Sequence, residues 1–260
     1  MGKFSGILLC TDFDNSLVCQ LKMPQINVEA IKYFKQNGGL FSVISGRSQE
    51  VLGRIEPDAH PNTYLGLYNG TVVYDPTTCT ATHEDFMKNI CLEQMFELQR
   101  LYDDFVITVC ASDKFVTIHS DDTNYRQRLK ECEALRVRKY YVHREKNFED
   151  DAYERICEMF APDCEATRSS IKGVEIQNEG VNKASAALKI KELTGAKLLI
   201  CLGDYENDIS MVKAADVGYA VENACDKLKR VADRMTVHCK DGAIAAIIKD
   251  IESGKLNIPD

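Results

Sequence analysis

The stretch Ile7-Leu8-Leu9-Cys10-Thr11-Asp12-Phe13-Asp14-Asn15-Ser16-Leu17 decides the fold. An apolar run of strand length ends abruptly in two carboxylates, Asp12 and Asp14, spaced i, i+2. It reads as a buried strand that delivers acids to its C-terminal edge. In open α/β sheets the ligand crevice lies outside the carboxyl ends of the strands, so a carboxylate pair there stands where chemistry is done. Asp and Asn are also ordinary turn residues, and on this segment alone an acidic turn accounts for the pattern equally well.

Three distant segments complete a set. Phe41-Ser42-Val43-Ile44-Ser45-Gly46-Arg47 is a second apolar strand, ending in a hydroxyl and a glycine. Val181-Asn182-Lys183 opens a helix with a cation. Leu199-Ile200-Cys201-Leu202-Gly203-Asp204-Tyr205-Glu206-Asn207-Asp208 is a third apolar strand that runs into an acidic loop. The order acid pair, Ser, Lys, acid cluster resembles the four motifs of the haloacid dehalogenase superfamily of phosphotransferases. The Gly-Asp-x-x-Asn-Asp form of the last motif, followed by Met211 and by Ala220-Val221-Glu222-Asn223-Ala224, is similar to the Cof-type sugar phosphatases of subclass IIB. Four motifs in order across nearly the whole chain are far more specific than any one of them.

Composition narrows the classes. The 260 residues are 45% hydrophobic, enough for a sizeable buried core. The formal charge is −8 and the pI about 5.3, so no global basic field exists to hold nucleic acid or an anionic membrane. A small anionic substrate would need a local positive pocket, and nothing in the sequence fixes an oligomeric state. The eleven cysteines are odd in number, form no Cys-x-x-Cys pair, and several (Cys10, Cys110, Cys201) lie in apolar runs. They read as reduced core thiols of a cytoplasmic protein, with zinc or disulfide frameworks not expected. Met1-Gly2-Lys3-Phe4 leads straight into the first strand, so neither a secretory signal nor a transmembrane span is expected.

Along the chain, Asn27 is a plausible N-cap for a helix that buries Val28, Ile31 and Phe34 and stops at Gly38-Gly39. Residues 40–44 return to the sheet, and Ser48 can cap a short helix that Pro57 ends. Asn69-Gly70-Thr71 matches a glycosylation acceptor but is better read as a hairpin turn between 64–68 and 71–74. Near residue 81 the grammar changes to helices at 89–103, 123–135 and 150–160 mixed with adjacent strands at 105–111, 114–120, 138–144, 164–169 and 172–178. Asn182 then caps a helix to Thr194, followed by strand 197–202, the acidic loop, helix 207–215, strand 217–221, helix 224–232, strand 235–239 and helix 242–253. The fold class expected is α/β: a doubly wound, Rossmann-like parallel core formed by 1–80 and 181–260, with an α+β domain inserted at 81–180. The resemblance makes that insert a type IIB cap.

Each motif has a chemical use. A carboxylate with a pKa of about 4 is ionised at neutral pH, so Asp12 can attack phosphorus without a partner base. By resemblance Asp14 is the proton carrier, protonating the departing alkoxide and then activating water. Two anions repel at contact distance, and Mg2+ is the natural remedy, a hard ion that takes carboxylate oxygens and substrate phosphate. The resemblance implies Asp12, the Asp14 backbone carbonyl and Asp204 as ligands, with Asp208 acting through water or by orienting its neighbours. Lys183 stands in the first turn of a helix, where an ammonium opposes the dipole and calls for another reason. That ammonium, Ser45, the Gly46 N–H and Asn207 are the phosphate-binding candidates.

The usual Asp-x-Asp-Gly-Thr-Leu motif reads Asp-Phe-Asp-Asn-Ser-Leu here. Asn15 tolerates left-handed backbone and Ser16 keeps a hydroxyl, so the loop should survive. The expected activity is Mg2+-dependent hydrolysis of a small phosphorylated metabolite, most simply a sugar phosphate. A phosphohexomutase and a catalytically silent metabolite-binding module are the alternatives. Arg168, Lys172 and Glu175, near the last cap strands, are the nominees for substrate selection, or equally solvated strand positions.

Overall fold

A computed structural model describes residues 2–89 and 91–256. The chain begins with β1 (Ile7–Thr11), α1 (Gln25–Gln36) and β2 (Leu40–Val43). A small antiparallel sheet follows, of β3 (Leu65–Leu67), β4 (Val72–Asp75) and β5 (Thr80–Glu84). Next come α2 (Leu92–Leu101), β6 (Phe105–Ala111), β7 (Phe115–His119), α3 (Tyr125–Glu131) and β8 (Val137–Arg144). They are succeeded by α4 (Asp150–Phe160), β9 (Cys164–Ser170) and β10 (Gly173–Asn178). The rest comprises α5 (Lys183–Thr194), β11 (Leu198–Gly203), α6 (Ile209–Ala214), β12 (Val217–Ala220), α7 (Asp226–Lys229), β13 (Arg234–Met235) and α8 (Ala243–Glu252). Two units result: Met1–His83 with Asn182–Asp260, and Glu84–Val181.

In the first unit five strands form a parallel sheet in the order β13-β12-β11-β1-β2. β1 lies in the interior of the sheet between β11 and β2, and all five of its residues, four of them apolar, are buried. Leu8 and Cys10 pair with Leu199 and Cys201 of β11 and pack on Ala186, Ala187 and Ile190 of α5 and Met211 of α6. Ile7 and Leu9 point the other way and are equally buried, so both faces are covered. This is the doubly wound α/β core that the alternation of strands and helices predicts.

The second unit holds an antiparallel sheet ordered β7-β6-β8-β10-β9. Ile107, Val109, Tyr140, Val142, Val174 and Ile176 form its core with Met95, Leu129, Ile156 and Phe160 from α2, α3 and α4. Strand alternation therefore leaves Lys139 and Glu175 on the face opposite these helices. Among the described residues no helix is long and apolar enough to cross a membrane.

Several local expectations are corrected. Pro24, with its fixed φ of −58°, starts α1 three residues early, so Asn27 lies inside the helix. Buried there, Asn27 Oδ1 accepts the Ala245 N–H, serving the first turn of α8 rather than its own helix. The 69–70 hairpin has a longer connection, because Tyr68, Asn69 and Gly70 all take positive φ. β5 had no signal in the sequence; all five of its residues are exposed and none makes an apolar face. The helix expected over 224–232 covers only Asp226–Lys229, and the strand expected over 235–239 only Arg234–Met235.

Gly70 locks the hairpin onto the start of α5. Its φ is +101°, and a Cβ there would sit 2.0 Å from the Asn182 carbonyl oxygen. Backbone strain and a backbone clash combine, so Gly70→Ala should cost more than about 2 kcal/mol of stability. Gly53, around which a Cβ would meet nothing within 4 Å, is the control. Thermal unfolding of the two alanine variants checks this, with a large drop expected for the first only.

Candidate active site

Asp12 directly follows β1, its N–H still in the ladder with the Leu202 carbonyl at 2.9 Å. Its carboxylate thereby emerges at the C-terminal edge of the sheet. Asp204 follows β11 on the neighbouring strand, and the Ser16 hydroxyl donates to its carboxylate at 3.2 Å. Lys183 opens α5, whose cap is closed by Asn182 Oδ1 accepting from the Ala184 and Ser185 N–H groups at 3.0 and 3.2 Å. The capping fixes where the Lys183 side chain starts.

Lys183 is the hub. Its ammonium donates to Asp12 Oδ1 and to Asp208 Oδ1, each at 2.6 Å, and it is only 1% exposed. Asp208 Oδ2 accepts the Asp204 and Tyr205 N–H groups at 2.9 and 3.1 Å. That carboxylate packs so close over Gly203 that a Cβ there would lie 2.3 Å from Asp208 Cβ. Carboxylate oxygens of Asp12, Asp204 and Asp208 lie within 4.8 Å of one another, and all three residues are buried.

Three buried carboxylates against one ammonium leave an excess of negative charge in a low dielectric. Burial pushes Asp12 up to about 7, although Lys183 pulls it down; Asp208 adds to the rise. Asp204 is pushed up to about 9, by burial first and then by Asp12 and Asp208. Burial alone would lower Lys183, but the charges of Asp12 and Asp208 outweigh it and hold the ammonium well above its ordinary range. An all-oxygen donor set with surplus negative charge fits a hard divalent cation.

Asp14 stands apart from this cluster. Its carboxylate is held by the Arg47 fork, Nε to Oδ2 at 2.7 Å and Nη2 to Oδ1 at 2.8 Å, and both side chains are more than a third exposed. Sequence reading missed Arg47 as a partner; its place two residues after Ser45 was the available signal. Ser45 is buried at the end of β2, its Oγ accepting the Arg47 N–H at 3.2 Å. Gly46 lies between them. Asn207 Nδ2 reaches Asn69 Oδ1 at 3.4 Å. Asn15, at φ +57°, takes the left-handed backbone expected where a glycine is usual, and its carbonyl accepts from Asn223 Nδ2 at 2.9 Å.

The nominees in the other unit divide. Arg168 points to the helix side, donating to the Phe148 carbonyl at 3.0 Å and Asp150 at 2.6 Å, with its guanidinium 4.6 Å from the Tyr153 ring centroid. Lys172 lies at the turn between β9 and β10, its N–H on Ser170 Oγ. Glu175 is buried and takes the Lys139 ammonium, so it does not face solvent.

A family model described as haloacid dehalogenase-like hydrolase matches residues 9–248. Phosphoglycolate phosphatase 2 of Saccharolobus solfataricus is 26% identical over 95% of this chain and 93% of its own. The Bacillus subtilis 5-amino-6-(5-phospho-D-ribitylamino)uracil phosphatase YcsE is 40% identical over 32% of this chain and 34% of its own. Among solved structures, BT1666 of Bacteroides thetaiotaomicron superimposes with a TM-score of 0.79 at 20% identity, covering 96% of each chain. The subclass IIB sugar phosphatase BT4131 gives 0.78 at 16% identity, covering 94% of this chain and 98% of its own.

The raised carboxylates make metal protection pH-dependent. In the metal-free protein, the stability that protonated Asp12 and Asp204 lend is complete below about pH 4 and is lost as pH rises through about 7 and about 9. A cation binds the ionised forms, so its stabilisation grows over that window. At a fixed Mg2+ concentration the rise in unfolding temperature should be larger at pH 8 than at pH 6, measured by differential scanning fluorimetry. An equal rise at both would contradict the assignment.

Proposed function

The chain belongs to the haloacid dehalogenase-like hydrolases and is a phosphoric monoester hydrolase; from that premise we propose that it hydrolyses a small phosphorylated metabolite through an aspartyl-phosphate on Asp12. The observation that carries this reading is the contact of the Asp12 carboxylate with Lys183 beside Asp204 and Asp208. In the first step an Asp12 carboxylate oxygen bonds to phosphorus while the bond to the substrate oxygen breaks, and Asp14 gives that oxygen a proton. In the second, water attacks the same phosphorus, Asp14 takes its proton, and the Asp12 carboxylate is released with inorganic phosphate.

Lys183 balances the charge of the nucleophile, and the Ser45 hydroxyl and Gly46 N–H donate to phosphoryl oxygens in this reading. Asp12, the Asp14 carbonyl and Asp204 would hold Mg2+, which supplies charge neutralisation at the phosphoryl group. Asp208, with both oxygens already accepting hydrogen bonds, orients Lys183 and the loop. Arg47 positions the Asp14 carboxylate. The phosphatases named among the relatives act on phosphoglycolate, a phosphoribitylamino-uracil and sugar phosphates, which supports a small hydroxylated leaving group. All eleven cysteines remain thiols, which suits a reducing cytoplasm.

Asp12→Asn should abolish phosphate release while leaving the fold intact, since it removes the nucleophile while Asp208 still pairs with the buried Lys183 ammonium; residual turnover by a colorimetric phosphate assay is the check. Asp14→Asn keeps the backbone carbonyl but cannot exchange a proton. It should slow sugar phosphates on the order of 10²–10⁴-fold. An aryl phosphate, whose phenolate leaves unaided, should be less affected in its first step and should trap phosphorylated protein. Rapid-quench kinetics with intact-protein mass spectrometry reads both, and equal slowing without trapped phosphoprotein would assign Asp14 a structural role.

A further inference from the structure

Cys19, His238 and Cys239 meet from opposite ends of the chain, their ligand-capable atoms within 4.8 Å of one another. Cys239 Sγ and His238 Nδ1 are 3.5 Å apart. Two ligands on one tetrahedral zinc, with bonds of about 2.0–2.3 Å, stand about 3.5–3.8 Å from each other. We propose that this cluster binds one zinc-class ion through two thiolates and an imidazole, at a site separate from the acidic cluster. Binding releases the two thiol protons to solvent.

Donor chemistry selects the ion. Two sulfurs and a ring nitrogen suit Zn2+ and disfavour Mg2+ and Ca2+, which take oxygen. His238 Nδ1 accepts the Lys240 N–H at 3.2 Å, so in the neutral ring this is the unprotonated nitrogen, the one able to ligate a metal, and it is the one beside Cys239. Metal ligation replaces that long bond. Cys239 is buried while Cys19 and His238 are half-buried, which leaves a side from which water completes a four-coordinate site.

The site joins two segments already linked by hydrogen bonds. Cys19 belongs to the loop after β1, where bridges pair Asp14 with Val18 and Cys19 with Lys22. The Cys239 N–H donates to Asn223 Oδ1 at 2.9 Å, and the Asn223 amide donates to the Asn15 carbonyl at 2.9 Å. An ion held by both cysteines ties the loop that carries Asp14 to the segment before α8.

The test uses the full chain, reduced and stripped of metal, titrated with Co2+ in excess Mg2+. Thiolate ligation of Co2+ gives an intense charge-transfer absorption that oxygen ligation does not. The expected result is a band that saturates at one equivalent, is displaced by Zn2+, and disappears in Cys19→Ser and in Cys239→Ser. The exposed Cys79→Ser control should keep it. No band, or a band that survives both serine variants, overturns the proposal. If the variants fail to fold, Zn2+ protection of Cys19 and Cys239 from iodoacetamide in the unaltered protein decides, and unchanged alkylation overturns it. A Cys19–Cys239 disulfide under mild oxidant, in protein that takes up no metal when reduced, would overturn it in favour of a redox pair.

Discussion

The buried ammonium of Lys183 is the interaction on which the catalytic end of the sheet depends. Asp12 and Asp208 each meet it at 2.6 Å, and without it the carboxylates would face one another unpaired. Removing one partner of a buried ion pair costs about 3–5 kcal/mol, because the remaining charge stays uncompensated. The surrounding architecture therefore serves to aim that one nitrogen. Asn182 caps α5, Gly70 brings the hairpin turn against the Asn182 carbonyl, and Gly203 lets Asp208 close over the strand end. None of these residues carries chemistry in the proposed reaction, yet each fixes the position of one that does.

Two carboxylates two residues apart have opposite surroundings, and the difference matches the different tasks proposed for them. Asp12 is buried and touches an ammonium that cannot move far, so its oxygen stays at one place. Asp14 is more than a third exposed and is gripped by an arginine fork that is itself exposed. A nucleophile needs a fixed attack position, whereas a proton carrier needs reach toward both substrate and solvent.

The sheet and its three motif-bearing strand ends were legible because continuous apolar runs that stop at polar residues carry both the strand and its end. β1, β2 and β11 all have this form, and Asn182 announces its helix by the same local logic. What stayed illegible depends on contacts between distant segments. Arg47 reads as part of a motif, but its fork on Asp14 exists only once β1 and β2 are neighbours. Asn27 looks like a cap for its own helix because the demand it meets, an unpaired N–H at Ala245, lies over two hundred residues later. Arg168 looked available, yet the alternation of β9 turns it toward Tyr153 and Asp150. β5 gave no signal because an exposed edge strand buries nothing.

The same limit explains why a sulfur cluster was not anticipated from the cysteines. Counting spacings finds metal sites whose ligands come in local pairs, and His238-Cys239 supplies only one thiol locally. Cys19 joins them because the loop after β1 folds back toward the segment preceding α8, an arrangement set by the parallel order of β1, β11, β12 and β13. Oxygen donors gather at the strand ends, where backbone N–H groups and Lys183 stabilise them, whereas the two thiols and the imidazole gather where the loop after β1 meets the segment before α8. Since hard and soft ions compete poorly for each other's ligands, the two clusters are chemically independent even though the Asn223 side chain bridges the Asn15 carbonyl and the Cys239 N–H.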